Sequence, residues 1–199
     1  TLPDDSRPLI WIHAVSLGET LAARPLIERL LDECGDRRIL VTTTTPTGSA
    51  QVKGLFGDRV LHVYAPWDTP GAVRRFMRKA RPELLVLIET ELWPNMLHSA
   101  RQAGCRVVLA NARLSERSAA GYARFAGSTR AMLSALNHIA AQSEADAQRF
   151  IDLGMNPDRV AVSGSIKFDV SLDENLRTQA EDLRGRWQVA ERPVFLVAS

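Results

Sequence analysis

Cysteine is scarce in this chain: Cys34 and Cys105 are the whole complement of 199 residues. Two cysteines, neither in a CxxC pair, exclude a disulfide framework and fit a reducing, cytosolic setting. Long apolar runs are also missing. None approaches the ~20 residues that cross a bilayer, and no signal peptide opens the chain. Charge of one sign is not in excess: 25 Lys and Arg stand against 23 Asp and Glu, a net +2. The cations are spread along the chain, so no nucleic-acid partner is expected. His13, His62, His98 and His138 lie apart without ligand spacing, and no metal site is expected. GxGxxG, GxxxxGK[ST] and GxSxG are all absent. That excludes a dinucleotide fingerprint, a P-loop and a nucleophile elbow, and no cofactor is called for.

What is present is a hydrophobic fraction of 45%, enough to bury a sizeable core. Short apolar runs recur: "LIWIHAV" (9–15), "RILVTTT" (38–44), "RVLHVYA" (59–65), "LLVLIE" (84–89), "CRVVLA" (105–110), "HIAAQ" (138–142) and "RVAVSG" (159–164). Several are apolar at successive positions, as strands covered on both faces must be. Between them the spacing is helical, as in Leu26, Leu30 with Ile27, Leu31, and in Ala147, Phe150, Ile151. This alternation predicts an α/β fold: a Rossmann-like, mostly parallel sheet with helices on both faces. Pro46, Pro66, Pro82, Pro94 and Pro157 punctuate element ends. Ser143 with Asp146 marks a helix start, and Gly154 lies just past its end. Pro25 falls inside the first helix and should kink it.

Residues 1–8 read as a polar lead-in and 9–170 as the Rossmann-like domain. Residues 171–193 read as a linking helix, and 194–199, "VFLVAS", as the first strand of a further domain. A start at Thr1 and a stop after that strand suggest a fragment, with an upstream membrane anchor among the segments it would lack.

In an open parallel sheet, ligands bind beyond the carboxyl ends of the strands. The residues that follow each run are polar: "SLGE", "TTTPTGS", "PWD", "ETELWPN", "NARLSERS", "QSE" and "SGSIKFD". Ser16-Leu17-Gly18-Glu19 matches a capping box, in which Glu19 reaches back to the helix start. The same carboxylate, held ionised by the helix dipole, could instead accept a proton from a substrate hydroxyl, with Gly18 leaving room for the ligand. Spacing does not separate these roles. Glu89 and Glu91 would point the same way if the chain there is extended. Trp93 reads as packing. "TPTGS", with Thr45 and Thr47, offers hydroxyls and a helix N-terminus to an anion. Arg74, Arg75, Arg78, Lys79 and Arg81 share one helix. They form either a solvated face or a contact for anionic lipid phosphates, which Arg113, Arg117, Arg124 and Arg130 would extend.

Taken in order and spacing, "HAVSLGE", "TTTTPTGS", "YAPWD", "ETELWPN", "NARLSERS", "QSEADAQRF" and "GSIKFD" resemble the N-terminal half of bacterial 3-deoxy-D-manno-octulosonic acid (Kdo) transferases, over roughly residues 9–199. The resemblance implies a GT-B fold of two Rossmann-like domains, with the lipid A precursor held mainly by the first and CMP-Kdo mainly by the second. It implies an inverting, metal-independent transfer of Kdo in lipopolysaccharide biosynthesis, with the "SxGE" carboxylate, here Glu19, as general base. Ser16, Gly18, Thr45, Thr47, Glu89, Glu91, Arg113 and Lys167 fall on the matching polar positions and are assigned to acceptor binding and orientation. It also implies anchoring at the cytoplasmic face of the inner membrane, against an anionic surface. The family usually carries Asn where Ser165 stands; a hydroxyl is shorter than an amide, so a cross-domain hydrogen bond from here would reach less far. The alternatives are another GT-B nucleotide-sugar enzyme, of heptosyltransferase or 2-epimerase type, and a non-catalytic module that docks lipid or a partner. Residues 1–199 alone are expected to bind the precursor weakly and to transfer nothing.

Overall fold

The computed structural model describes residues 6–168, 174–187 and 195. The chain divides into two compact units, residues 1–168 and residues 169–199. The first unit alternates strand and helix: β1 (Leu9–His13), α1 (Leu17–Glu33), β2 (Arg38–Thr43), α2 (Pro46–Phe56), β3 (Leu61–Tyr64), α3 (Pro70–Ala80), β4 (Leu84–Ile88), α4 (Pro94–Gln102), β5 (Arg106–Ala112), α5 (Glu116–Ala123), α6 (Ala126–Leu133), β6 (His138–Ala141), α7 (Glu144–Asp152) and β7 (Val160–Val162). All seven apolar runs are strands, and every pairing between them is parallel. The second unit contains α8 (Glu174–Arg186); of the strand expected at 194–199, all but Phe195 lies outside the described residues.

The sheet order is β3-β2-β1-β4-β5-β6-β7. Successive side chains of a strand face opposite sides, and the core divides accordingly. Leu9 and Trp11 join Leu85, Leu87, Val107 and Leu109 against Val73, Met77, Met96 and Leu97 of α3 and α4. Ile10 and Ile12 join Ile39, Val41, Val86 and Ile88 against Ile27, Val52 and Phe56 of α1 and α2. Every β1 residue is buried, which is why the run reads as continuously apolar. Burial of each large aliphatic side chain contributes about 1.5–3 kcal/mol.

Local signals set the helix ends. Ser16, Thr45, Ser115 and Ser143 each accept a backbone N–H as N-caps, and Pro46, Pro70 and Pro94 occupy first helical positions. There the missing proline N–H costs nothing. Pro25 does not divide α1, which continues as one 17-residue helix. β3 begins two residues later than its apolar run because a turn of 3-10 helix occupies Gly57–Arg59.

The connections position the site. From β1 the chain steps outward to β2 and β3, and α3 then returns it to the other side of β1 as β4. Chain direction therefore diverges between β1 and β4, and a crevice opens beyond their carboxyl ends. Glu19 follows β1, and Glu89 and Glu91 follow β4.

Candidate active site

Beyond β1, Ser16 caps α1, its Oγ accepting the Glu19 N–H at 3.3 Å. Glu19 returns the contact. Its Oε1 accepts the Ser16 hydroxyl at 2.8 Å, and its Oε2 accepts the Val15 N–H at 2.7 Å. This is a capping box displaced by one residue, since the carboxylate reaches the residue before the cap. Glu19 is 9% exposed. Burial raises its pKa, the hydrogen bonds from Val15 and Ser16 pull it down, and the charges of Glu91 and Glu89 push it up again; the net direction is up. The helix terminus and the two hydrogen bonds favour the ionised form, and lost hydration and the two neighbouring anions oppose it. A carboxylate has about four lone-pair sites, so two contacts leave acceptor capacity. Beside it, a Cβ at Gly18 would meet only the Ser16 Oγ, at 3.9 Å. The fold does not need a glycine there, and the space it leaves is open.

Beyond β4, the extended course expected for "ETE" is not observed. Glu89 takes φ +63°, a left-handed conformation that costs a non-glycine residue of order 1–3 kcal/mol and tends to mark functional sites. Its N–H is held by the Ala110 carbonyl at 3.0 Å, and its Oε1 pairs with Lys167 Nζ at 3.1 Å. Glu91 Oε2 accepts the Trp93 indole N–H at 2.7 Å. The two carboxylates thus have different partners, although both act electrostatically on Glu19. Trp93 packs, as expected, edge-on to His13 with centroids 4.7 Å apart.

His13 is fully buried at the end of β1. Its Nδ1 lies 2.9 Å from Thr42 Oγ1, which also accepts the Trp11 indole N–H at 2.8 Å. Its Nε2 has no partner among the described residues, and burial lowers its pKa to about 4. The ring is a neutral packing element. Among the described residues no cluster of His, Cys, Asp or Glu could hold a metal ion. Burial pushes Cys105 up to about 12, so it is no nucleophile.

Near the end of β5, Asn111 went unnoticed in the sequence. It is fully buried and left-handed at φ +54°. Its Oδ1 accepts the Ile166 N–H at 3.2 Å, and its carbonyl accepts Gln142 Nε2 at 3.0 Å. Its Nδ2 is sealed and unpartnered among the described residues, a burden of about 1–3 kcal/mol. The available signal was an Asn at a strand end, since Asn adopts positive φ more readily than other non-glycine residues. Arg113, two residues on, is exposed, and its carbonyl accepts the Thr90 hydroxyl.

The other anticipated residues divide between this crevice and elsewhere. Thr45 Oγ1 accepts the Gly48 N–H at 3.1 Å and the Thr47 hydroxyl at 3.3 Å, so both threonines belong to the cap of α2, beside β1. A Cβ at Gly48 would come within 3.0 Å of that Thr45 oxygen. Asp68 of "PWD" caps α4, accepting the Met96 N–H at 2.8 Å and the Asn95 N–H at 3.2 Å. Arg74, Arg75, Arg78 and Lys79 are exposed on α3, which runs from the carboxyl end of β3 back to the amino end of β4. Arg78 and Lys79 therefore lie towards the opposite end of the sheet from Glu19. A cavity of about 560 Å³ lies at that end, lined by Arg74, Arg78, Arg81 and Glu83 among others.

The family described as "3-Deoxy-D-manno-octulosonic-acid transferase (kdotransferase)" matches residues 2–170. The chain is 40% identical over 190 residues to a 3-deoxy-D-manno-octulosonic acid transferase of Haemophilus influenzae, covering 96% of this chain and 44% of that protein. It is 39% identical over 195 residues to one of Bordetella pertussis, with the same coverage of 96% and 44%. The chain thus spans less than half the length of these relatives. A solved UDP-GlcNAc 2-epimerase from Neisseria meningitidis shares the fold, with a TM-score of 0.62 at 12% identity, over 93% of this chain and 55% of that one.

Proposed function

Because the chain belongs to the 3-deoxy-D-manno-octulosonic acid transferase family, we propose that the protein containing it transfers Kdo from CMP-Kdo to a lipid A precursor, with inversion and with Glu19 as general base. The supporting observation is a carboxylate at the sheet's switch point, largely buried, with its pKa raised by burial and by Glu91 and Glu89. A raised pKa strengthens a base, and Brønsted behaviour favours a value near the working pH.

In this reading one Glu19 oxygen takes the proton of the acceptor hydroxyl while that hydroxyl's oxygen bonds to the Kdo anomeric carbon. The bond from that carbon to CMP breaks, and CMP leaves with its electron pair. Ser16 and Val15 hold Glu19 in place, and Gly18 leaves room for the sugar. Glu89, Glu91, Arg113, Lys167, Thr45 and Thr47 orient the acceptor around it. CMP-Kdo is held mainly by a further domain. The test is Glu19→Gln in the full-length enzyme, assayed for Kdo transfer: a loss of about 10²–10⁴ is expected, and unchanged turnover removes Glu19 from the role.

We further propose that the enzyme works at the cytoplasmic face of the inner membrane. Among the described residues no helix is long and apolar enough to cross a membrane. Arg74, Arg75, Arg78 and Lys79, exposed and without an acidic partner among the described residues, suit an anionic surface. The distance of Arg78 and Lys79 along α3 from the crevice gives this group the task of seating the enzyme rather than of holding the reacting hydroxyl. Replacing all four by Gln should weaken binding to anionic vesicles by about 1 kcal/mol per charge, and an unchanged affinity would remove them from that surface. The 2-epimerase alternative rests on fold likeness alone.

A further inference from the structure

We infer that Asn111 is a positioning residue: it clamps the loop that carries Lys167, so that the lysine faces Glu89 at the mouth of the crevice. The inference rests on the transferase reading for its consequence in turnover, but not for the clamp itself.

The clamp is built from three strand ends. β5 ends in an irregularity: its register with β6 shifts between Leu109 and Ala112, which brackets Asn111. The left-handed turn at Asn111 buries the side chain completely. There its Oδ1 receives the Ile166 N–H, the backbone group next to Lys167 in the short 3-10 helix Ile166–Phe168 beyond β7. On the other side, the Ala110 carbonyl receives the N–H of Glu89, itself left-handed. The two partners of the Lys167–Glu89 pair are thus both tied to adjacent residues of one strand end. The Lys167 side chain is long and half exposed. Such a chain gains little from one surface ion pair unless its backbone is fixed. Asn111 fixes it, from 55 residues away in sequence.

The side chain's chemistry suits that task and no direct one. Its Nδ2 is sealed from solvent and donates to nothing among the described residues, so a substrate does not reach it. What remains is the acceptor oxygen and the tolerance for positive φ. Two substitutions separate these. Asn111→Gly keeps the backbone conformation and removes the acceptor; Asn111→Asp keeps an acceptor oxygen towards Ile166 and exchanges the unused donor for a second oxygen, which the buried site holds best protonated.

The experiment uses the full-length protein and two readouts. The first is hydrogen–deuterium exchange at the Ile166 amide, which does not depend on activity. Loss of one hydrogen bond speeds exchange roughly tenfold. Asn111→Gly should show that acceleration and Asn111→Asp should restore protection; equal protection in native protein and Asn111→Gly overturns the clamp. The second is a double-mutant cycle in kcat/KM for Kdo transfer. If Asn111 acts through the ion pair, Asn111→Gly added to Glu89→Gln costs no more than the larger single effect. Additive losses overturn the positioning role. Should Glu19→Gln keep full activity while the Ile166 amide still responds, the transferase mechanism fails and the clamp stands.

Discussion

Replacing Glu19 by Gln separates a chemical role from a structural one, because the native contacts of this side chain are known. Gln keeps one acceptor oxygen, which can still take the Val15 N–H that Glu19 Oε2 accepts at 2.7 Å. Its amide nitrogen then faces the Ser16 Oγ, now 2.8 Å from Oε1, and must donate where the carboxylate accepted. Hydrogen bonds to a charged group are worth about 1.5–3 kcal/mol and neutral ones about 0.5–1.5, so roughly 1 kcal/mol is lost. Against that, the buried charge disappears, and with it the repulsion from Glu91 and Glu89 that raises the Glu19 pKa. The net stability change should stay within about 1 kcal/mol, a shift in Tm of about 2–4 °C for a domain of this size. Turnover should fall by about 10²–10⁴, measured with saturating CMP-Kdo and lipid A precursor and the full-length enzyme. Glu19→Ala is the contrast, since it strands the Val15 N–H and should cost a further 1–3 kcal/mol. If Glu19→Gln turns over within a few-fold of native while Glu19→Ala merely unfolds sooner, Glu19 is a cap and nothing more.

Two further outcomes depend on proton equilibria. Glu91→Gln removes the larger of the two anionic contributions to the raised Glu19 pKa, while its amide oxygen can still accept the Trp93 N–H. A base works deprotonated, so the acid limb of kcat/KM should move to lower pH in Glu91→Gln; a limb that stays put or moves up contradicts the coupling. His13 titrates at about 4 in the folded chain against 6.5 when unperturbed. Below pH 6.5 the unfolded chain takes up a proton that the folded chain refuses, so stability should be lost as pH falls from 6.5 towards 4, by about 3 kcal/mol in all. Denaturant titrations of native protein and His13→Gln across that window should differ in pH slope, and identical slopes refute the burial argument.

The strands, caps and proline positions were legible because their causes are local. Ile10 and Ile12 alternate with Leu9 and Trp11 across a sheet whose faces are both covered, and Ser16 and Ser143 cap the helices they immediately precede. The sheet order was not legible, yet the switch-point rule still directed attention to Glu19, Glu89 and Glu91. What escaped notice depends on residues distant in sequence. The Glu19 pKa is raised partly by carboxylates some 70 positions away, and Asn111 meets its partner 55 residues on. The left-handed turn at Glu89 is fixed by the Ala110 carbonyl of the next strand, so an extended reading of "ETE" had nothing local against it. The basic residues of α3 read as a solvated face or a lipid-phosphate contact, and the direction of the helix, which carries Arg78 and Lys79 away from the crevice, followed only from the sheet order.

The most direct measurement is a structure of the full-length enzyme with a lipid A precursor bound. The account requires the acceptor's free hydroxyl to lie about 2.6–3.2 Å from a Glu19 oxygen, beyond the ends of β1 and β4. A hydroxyl held elsewhere, with Glu19 still closed over Val15 and Ser16, would contradict it.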